Sequence, residues 1–170
     1  DKNTKKRTYV FVTARVHPGE SPGSWMMQGF LKFITSDHPS AIELRRSVIF
    51  KVIPMINPDG VICGNYRTSF SGNDLNRQFQ DPDQKIHPAV AAIKQLIAEI
   101  RDHHRVLCYV DMHGHSRKKN VFMYGPYYPL HHDKYFKVRI IPKLVSEQTQ
   151  MFRFYTCKFR NERSKKKSAR

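Results

Sequence analysis

Cysteine is scarce in this sequence, and the few cysteines present lie far apart. There are three, in no C-x-x-C pattern, at Cys63, Cys108 and Cys157. An odd number of widely spaced cysteines argues against a disulfide framework and against a zinc site built from thiolates. The same scarcity favours a reducing compartment, so we expect a cytoplasmic protein.

Long apolar runs are also lacking. No stretch reaches the length of about 20 residues that a membrane-spanning helix needs. Residues 1–7 are mostly charged and lack the apolar core of a signal peptide. The sequence therefore predicts no membrane partner.

Acidic residues are outnumbered: 14 Asp and Glu stand against 30 Lys and Arg, which gives a formal net charge of +16. The excess is greatest in residues 151–170, where Glu162 is the single acid. We interpret this stretch as a basic, solvated or disordered end. The charge favours an acidic partner. Nucleic acid is not expected, because the basic residues cluster at one end instead of alternating with aromatics.

The residues that are present suit a packed domain, since 39% are hydrophobic and 12% are aromatic. Runs rich in β-branched and aromatic residues predict strands, and apolar residues at helical spacing predict helices. The predicted strands are residues 8–16, 47–56, 106–112 and 121–124, and the predicted helices are residues 21–34, 87–103 and 135–151. Strands that alternate with helices predict an α/β fold with a mixed, largely parallel sheet flanked by helices.

A candidate metal site follows the first predicted strand. The sequence VHPGES at residues 16–21 places His17 three positions before Glu20. A catalytic zinc takes three protein ligands, so one more is needed. His113 ends another predicted strand, and strands that end at the same rim would bring it to the other two. His115 competes with His113, because residues two apart on a strand face the same way.

A second candidate cluster lies in a long predicted loop, residues 61–79. Two guanidiniums and an amide, from Arg67, Arg77 and Asn76, could grip a carboxylate and polarise a carbonyl. The alternative is a salt-bridge network within the loop, with Asp74 or Asp59 as the acid. Beside a metal, Asp74 would suit another role, accepting a hydrogen bond from the ring nitrogen of His17 that does not bind the metal.

Four motifs in this order resemble the zinc carboxypeptidase family, and most closely its cytosolic carboxypeptidase branch. They are HPGES at 17–21, NPDG at 57–60, GNYRTSFSGNDLNR at 64–77 and DMHGHS at 111–116. The resemblance implies one Zn²⁺ per chain, bound by His17, Glu20 and His113. It also implies that Arg67 polarises the scissile carbonyl and holds substrate, while Asn76 and Arg77 take the terminal carboxylate.

The same resemblance implies a substrate and a location. The cytosolic branch removes glutamates from acidic proteins, which makes tubulin polyglutamate tails the expected partner. A cytoplasmic location, associated with microtubules or cilia, follows from that substrate.

The sequence departs from the family pattern at two places. Gly19 stands where the digestive members carry an Arg. The family's general-base Glu and its substrate-capping Tyr are expected after Arg170. We therefore expect residues 1–170 to be the N-terminal part of a catalytic domain, with a fold incomplete at its C-terminal side. Alone, this part should bind zinc but turn over little substrate.

Two other functions fit the same residues. One is a zinc amidase that acts on small acylated amino acids, because such substrates need the same grip from Arg67, Asn76 and Arg77. The other is a non-catalytic module that binds acidic tails through its basic surface.

Overall fold

The computed structural model describes residues 6–160 and 167–169, and the chain divides into two compact units, Asp1–Gly114 and His115–Arg170. The elements of the first unit are β1 (Thr8–Ala14), α1 (Pro22–Ile34), α2 (Pro39–Ser47), β2 (Ile49–Ile53), α3 (Pro58–Ile62), α4 (Pro88–His103) and β3 (Arg105–Met112). The second unit contains β4 (Tyr124–Gly125), α5 (Lys134–Gln148) and β5 (Lys158–Phe159). Strands and helices alternate, as the sequence predicts.

β1 is the central strand of a three-stranded sheet in the first unit, in the order β2-β1-β3. Both pairs are parallel, and Val12 lies opposite Val52 on one side and Val110 on the other. Parallel neighbours need crossover connections, which α1 and α2 supply before β2 and α4 supplies before β3. The α/β fold with a parallel sheet is confirmed, and the carboxyl ends of all three strands meet at one edge.

The sheet has buried clusters on both of its faces. One joins alternate residues of β1 to α1, through Val10, Val12, Ala14 and Met27. The other draws on the segments after β1 and β2, the loop and α4, through Val16, Ile56, Leu75, Val90 and Ile93. Successive strand residues point to opposite faces, so a strand covered on both sides is a continuous apolar run. That run is what makes β1 recognisable in the sequence.

Two local structures differ from the prediction. The sequence does not predict α2, because Ala41 is its single buried residue and it shows no apolar stripe. Residues 57–60, predicted as a turn, instead begin the short helix α3. The side chain of Asn57 accepts the N–H of Gly60 at 3.0 Å and so caps this helix. Asn favours both turns and helix N-caps, which explains the error.

The second unit is built around short parallel pairing, with β4 paired to β5. The predicted strand at residues 121–124 is reduced to β4 and an isolated bridge between Val121 and Phe152. In the predicted basic end, residues 151–160 contain a buried Phe152, a 3-10 helix at Phe154–Thr156 and β5. Residues 161–166 and 170 of that end lie outside the described residues.

Helices long and apolar enough to cross a bilayer are absent from the part of the chain that the structure describes.

Candidate metal centre

The candidate metal ligands lie at the carboxyl edge of the first unit's sheet. His17 follows β1 by three residues, and His113 directly follows the last residue of β3. Because β1 and β3 are parallel neighbours, their ends deliver both imidazoles to the same place. Glu20 lies between them in the turn that leads into α1.

Glu20 bridges the two histidines through its two carboxylate oxygens. Oε1 lies 2.8 Å from Nδ1 of His17, and Oε2 lies 2.9 Å from Nδ1 of His113. One ligand atom from each residue can be chosen so that all three lie within 4.8 Å of one another. The structure thus brings together the three residues that the sequence predicts as ligands.

The donor set fits zinc. Two imidazoles and one carboxylate are ordinary zinc ligands, and ligand atoms around a tetrahedral zinc lie roughly 3.4 Å apart. Small side-chain movements would therefore close His17, Glu20 and His113 around one ion. Both histidines turn Nδ1 towards Glu20, so Nδ1 is the nitrogen that would bind the metal.

The other ring nitrogen of each histidine faces a carboxylate. Nε2 of His17 lies 3.1 Å from Oδ1 of Asp74, as the sequence predicts, and Nε2 of His113 lies 2.7 Å from Oδ2 of Asp111. A carboxylate at Nε2 favours a proton there, so Nδ1 is the nitrogen that gives up its proton when a cation binds.

Asp111 lies beside the candidate ligands, although the sequence patterns do not predict it there. Its other oxygen accepts a 2.7 Å hydrogen bond from the Thr13 hydroxyl, and Thr13 lies opposite Asp111 in the register of β1 and β3. Asp111 precedes His113 by two positions. That spacing was available as a signal, because residues two apart along an extended chain share a face.

The carboxylates change the acid–base properties of the histidines in the metal-free site. Burial opposes protonation of His113, but its hydrogen bonds with Asp111 and Glu20 outweigh burial and raise its pKa to about 9. The pKa of His17 is raised for the same reason, with Asp74 and Glu20 as partners. Metal binding at neutral pH must therefore displace a proton from the imidazole of His113.

Glu20 and Asp74 stay ionised in this site. Burial alone would raise the pKa of Glu20, but hydrogen bonds with His113 and His17 hold it well below the usual range. For Asp74, burial is likewise outweighed, by the hydrogen bond and charge of His17 and the nearby Arg67 and Arg77, and its pKa falls to about 2.

Asp74 also connects the metal ligands to the second predicted cluster. Nε of Arg67 donates to Oδ2 of Asp74 at 2.9 Å, and Nη1 of Arg77 lies 4.0 Å from the same oxygen. The backbone N–H of Asn76 donates to Oδ1 of Asp74 at 2.9 Å, within a 3-10 helix at Leu75–Arg77. A loop network around Asp74 is therefore present, and it touches His17. The side chain of Arg67 remains 43% exposed.

Gly19 has a structural reason in this site. Its N–H donates to the carbonyl of Tyr66 at 2.7 Å, and a Cβ at this position would lie 2.4 Å from the Tyr66 ring. A side chain at position 19 would need the space that Tyr66 occupies.

His115 makes local contacts in the second unit. Its Nδ1 accepts the backbone N–H groups of Arg117 and Lys118, and its ring packs edge-on against Phe122. Of the two competing histidines, His113 is the one grouped with His17 and Glu20.

Two imidazoles and a carboxylate at the carboxyl edge of a parallel sheet form a candidate mononuclear zinc site. The chain belongs to the zinc carboxypeptidase family, whose sequence profile matches residues 1–162. This family is zinc-dependent, in agreement with the donor set.

Similar proteins place the chain more closely within that family. Cytosolic carboxypeptidase 1 from Gallus gallus is 45% identical over 98% of this chain, and cytosolic carboxypeptidase 2 from Danio rerio is 46% identical over 98%. A crystal structure of a metallo-carboxypeptidase from Burkholderia cenocepacia superposes with a TM-score of 0.81 at 28% identity, covering 98% of this chain. The chain spans 15% and 23% of the two relatives and 44% of the crystallised chain.

Proposed function

We propose that this chain supplies the zinc site and part of the substrate grip of a carboxypeptidase that removes C-terminal or side-chain glutamates from acidic proteins such as tubulin. The observation that carries the proposal is the convergence of His17, Glu20 and His113, with a carboxylate behind each histidine. Its similarity to cytosolic carboxypeptidases and its charge of +16 support the choice of an acidic substrate.

His17, Glu20 and His113 would hold one zinc ion, which when bound supplies Lewis-acid chemistry to the hydrolysis of a peptide bond. Asp74 and Asp111 keep a proton on Nε2 of each histidine and fix the rings. With Nε2 protonated, Nδ1 is the nitrogen that can bind the metal, and in both rings Nδ1 faces Glu20.

Arg67 would polarise the scissile carbonyl, and Asn76 with Arg77 would hold the substrate's terminal carboxylate. Three features support these roles. Arg67 is anchored by Asp74 beside His17, and much of the Arg67 side chain is exposed. The 3-10 helix also brings Asn76 and Arg77 close to the carboxylate of Asp74. A guanidinium binds carboxylate and carbonyl oxygens with directed hydrogen bonds.

We further propose that residues 1–170 are the N-terminal part of a catalytic domain, that the protein acts in the cytoplasm at microtubules or cilia, and that it binds neither nucleic acid nor membranes. On this view the general base lies outside residues 1–170. Zinc content and glutamate release are measured on one preparation of residues 1–170. We expect one bound zinc and little glutamate release. Rapid glutamate release would refute the proposal that residues 1–170 are part of a longer catalytic domain.

The activity itself is tested on the full-length protein that carries these residues. A peptide with a glutamate tail should be cleaved, and His17→Ala should abolish cleavage. Acylated aspartate as the better substrate would favour the zinc amidase instead. Tail binding that survives His17→Ala but is lost on charge reversal at residues 163–167 would favour a binding module, provided that the wild type releases no glutamate.

A further inference from the structure

Arg15 ties the end of β1 to the turn that carries two of the candidate metal ligands. Its Nε and Nη2 donate to the carbonyl of Pro18, at 3.1 and 2.7 Å, and its Nη1 donates to the hydroxyl of Ser24 at 2.7 Å. Pro18 lies between His17 and Glu20, and Ser24 lies in the first turn of α1. One guanidinium therefore connects the turn with both elements that flank it.

The backbone at Arg15 is in an unfavourable conformation. Its φ is +55°, in the left-handed region that glycine adopts freely and that other residues rarely occupy. Non-glycine residues persist there when the surrounding structure holds them, and such positions cluster at functional sites. For the backbone alone glycine would be the better residue at position 15, so the advantage of arginine must come from its side chain.

The side chain satisfies a polar group that needs a partner. Pro18 is buried, and a buried carbonyl without a donor is costly. Arg15 offers that carbonyl two donors from one rigid, planar group, an arrangement that lysine cannot reproduce. Backbone bonds from Glu20 to His17 and from Gly23 to Glu20, at 3.2 and 3.1 Å, complete the same turn.

We propose that Arg15 is a positioning residue for the metal site: by holding the carbonyl of Pro18 it sets the separation and orientation of His17 and Glu20. This inference rests on the proposed zinc site. The contacts that carry it are to Pro18 and Ser24, so its effect passes through the turn. Loss of Arg15 should therefore weaken zinc binding without removing a ligand.

Zinc affinity, measured by competition with a fluorescent chelator, tests this role in three variants. Arg15→Gly removes the guanidinium and relieves the strain of the positive φ. Arg15→Lys keeps the charge but loses the two parallel N–H donors to the Pro18 carbonyl. Both should bind zinc at least about tenfold more weakly than the wild type, as for loss of other groups that support a ligand. The matched control is Arg45→Lys, because Arg45 also donates to two backbone carbonyls, those of Ile34 and Ser36, away from this turn.

A chemical rescue separates positioning from general destabilisation. Millimolar guanidinium should restore zinc affinity to Arg15→Gly, which has room for it, whereas equal urea should not. Wild-type affinity in both Arg15 variants, or an equal loss in Arg45→Lys, would overturn the inference. If Arg15→Gly does not fold, the Arg15→Lys and Arg45→Lys pair decides.

Failure of the proposed function gives a different result. A protein that binds zinc and responds to Arg15 as described, but releases no glutamate from any tail, retains the positioning role and loses the peptidase assignment. A wild type that binds no zinc overturns both.

Discussion

At the residue scale, the site pairs each histidine with two carboxylates, one on each ring nitrogen. Glu20 contacts both rings, whereas Asp74 contacts His17 and Asp111 contacts His113. Such pairing fixes the proton position and the ring plane together, so the imidazoles are oriented before any ion arrives.

Asp111→Asn should weaken zinc binding by about 10- to 100-fold, because the amide no longer enforces a proton on Nε2 of His113. Chelator competition on the purified protein measures the change. Asp133→Asn is the control, since Asp133 is an exposed acid paired with Lys137. Equal affinities for Asp111→Asn and the wild type would show that Asp111 plays no part in metal binding.

Zinc affinity should rise with pH. The pKa of His113 is raised to about 9 in the metal-free protein, so at pH 7 its imidazole carries a proton that zinc must displace. Each proton displaced adds roughly tenfold in affinity per pH unit below that pKa. Titrations at pH 6.5, 7.5 and 8.5, corrected for the chelator's own protonation, measure the slope. A flat profile would contradict the raised pKa.

The same proton affects the stability of the metal-free protein, with the opposite sign. A histidine whose pKa is higher in the folded state stabilises the fold fully below its unfolded pKa of about 6.5. That stabilisation is lost as pH rises towards 9. Denaturant unfolding of metal-free protein should thus show a smaller free energy of unfolding at pH 9 than at pH 6.5. His113→Gln should reduce this pH dependence.

At the scale of elements, prediction succeeds where apolar spacing is strong and fails where an element is too short or too polar to show such spacing. β1, α1, α4 and β3 are found close to their predicted bounds because each has an apolar face or run packed in the core. α2 buries a single alanine and β5 is two residues long, so neither leaves a periodic signal. Tertiary packing decides such elements, and the sequence alone does not show it.

Site residues divide in a similar way. His17, Glu20 and Asp74 stand out because they follow an apolar run or lie in a polar loop. Asp111 is not predicted because it lies within the predicted strand at residues 106–112. The apolar pattern of that strand indicates a structural role and gives no sign of a metal site. Its role appears when Thr13 of the neighbouring strand is seen opposite it.

α1 should owe its place on the sheet to Met27. This side chain is 2% exposed in the cluster with Val10, Val12 and Ala14, so Met27→Ala should lower the free energy of unfolding by about 2–5 kcal/mol. Met26→Ala is the matched control, because Met26 is 37% exposed, and its loss should be much smaller. Urea unfolding of both variants measures the difference, and equal losses would contradict the described packing.

At the scale of the whole molecule, the candidate ligands are far apart in sequence and come together through the sheet. Residues 17 and 20 follow β1, residue 113 follows β3, and the pairing of these strands is what closes the site. An ion that binds the folded protein but not the unfolded chain must stabilise the folded protein.

Zinc should therefore raise the unfolding temperature of the wild type, and a chelator should reverse the rise. At a free zinc concentration of a hundred times Kd, the added free energy of unfolding is about 2.7 kcal/mol. His113→Ala should show little of this response, because one of the three ligands is gone. A thermal shift as large in His113→Ala as in the wild type would place the ion elsewhere.

Asp74 holds His17 with one oxygen and Arg67 with the other. A molecule that draws the Arg67 guanidinium away from Asp74 leaves the negative charge of Asp74 less neutralised. The electrostatic attraction between Asp74 and the His17 imidazole then becomes stronger. Occupancy by such a molecule and retention of the ion are then thermodynamically linked, and the linkage acts equally in both directions.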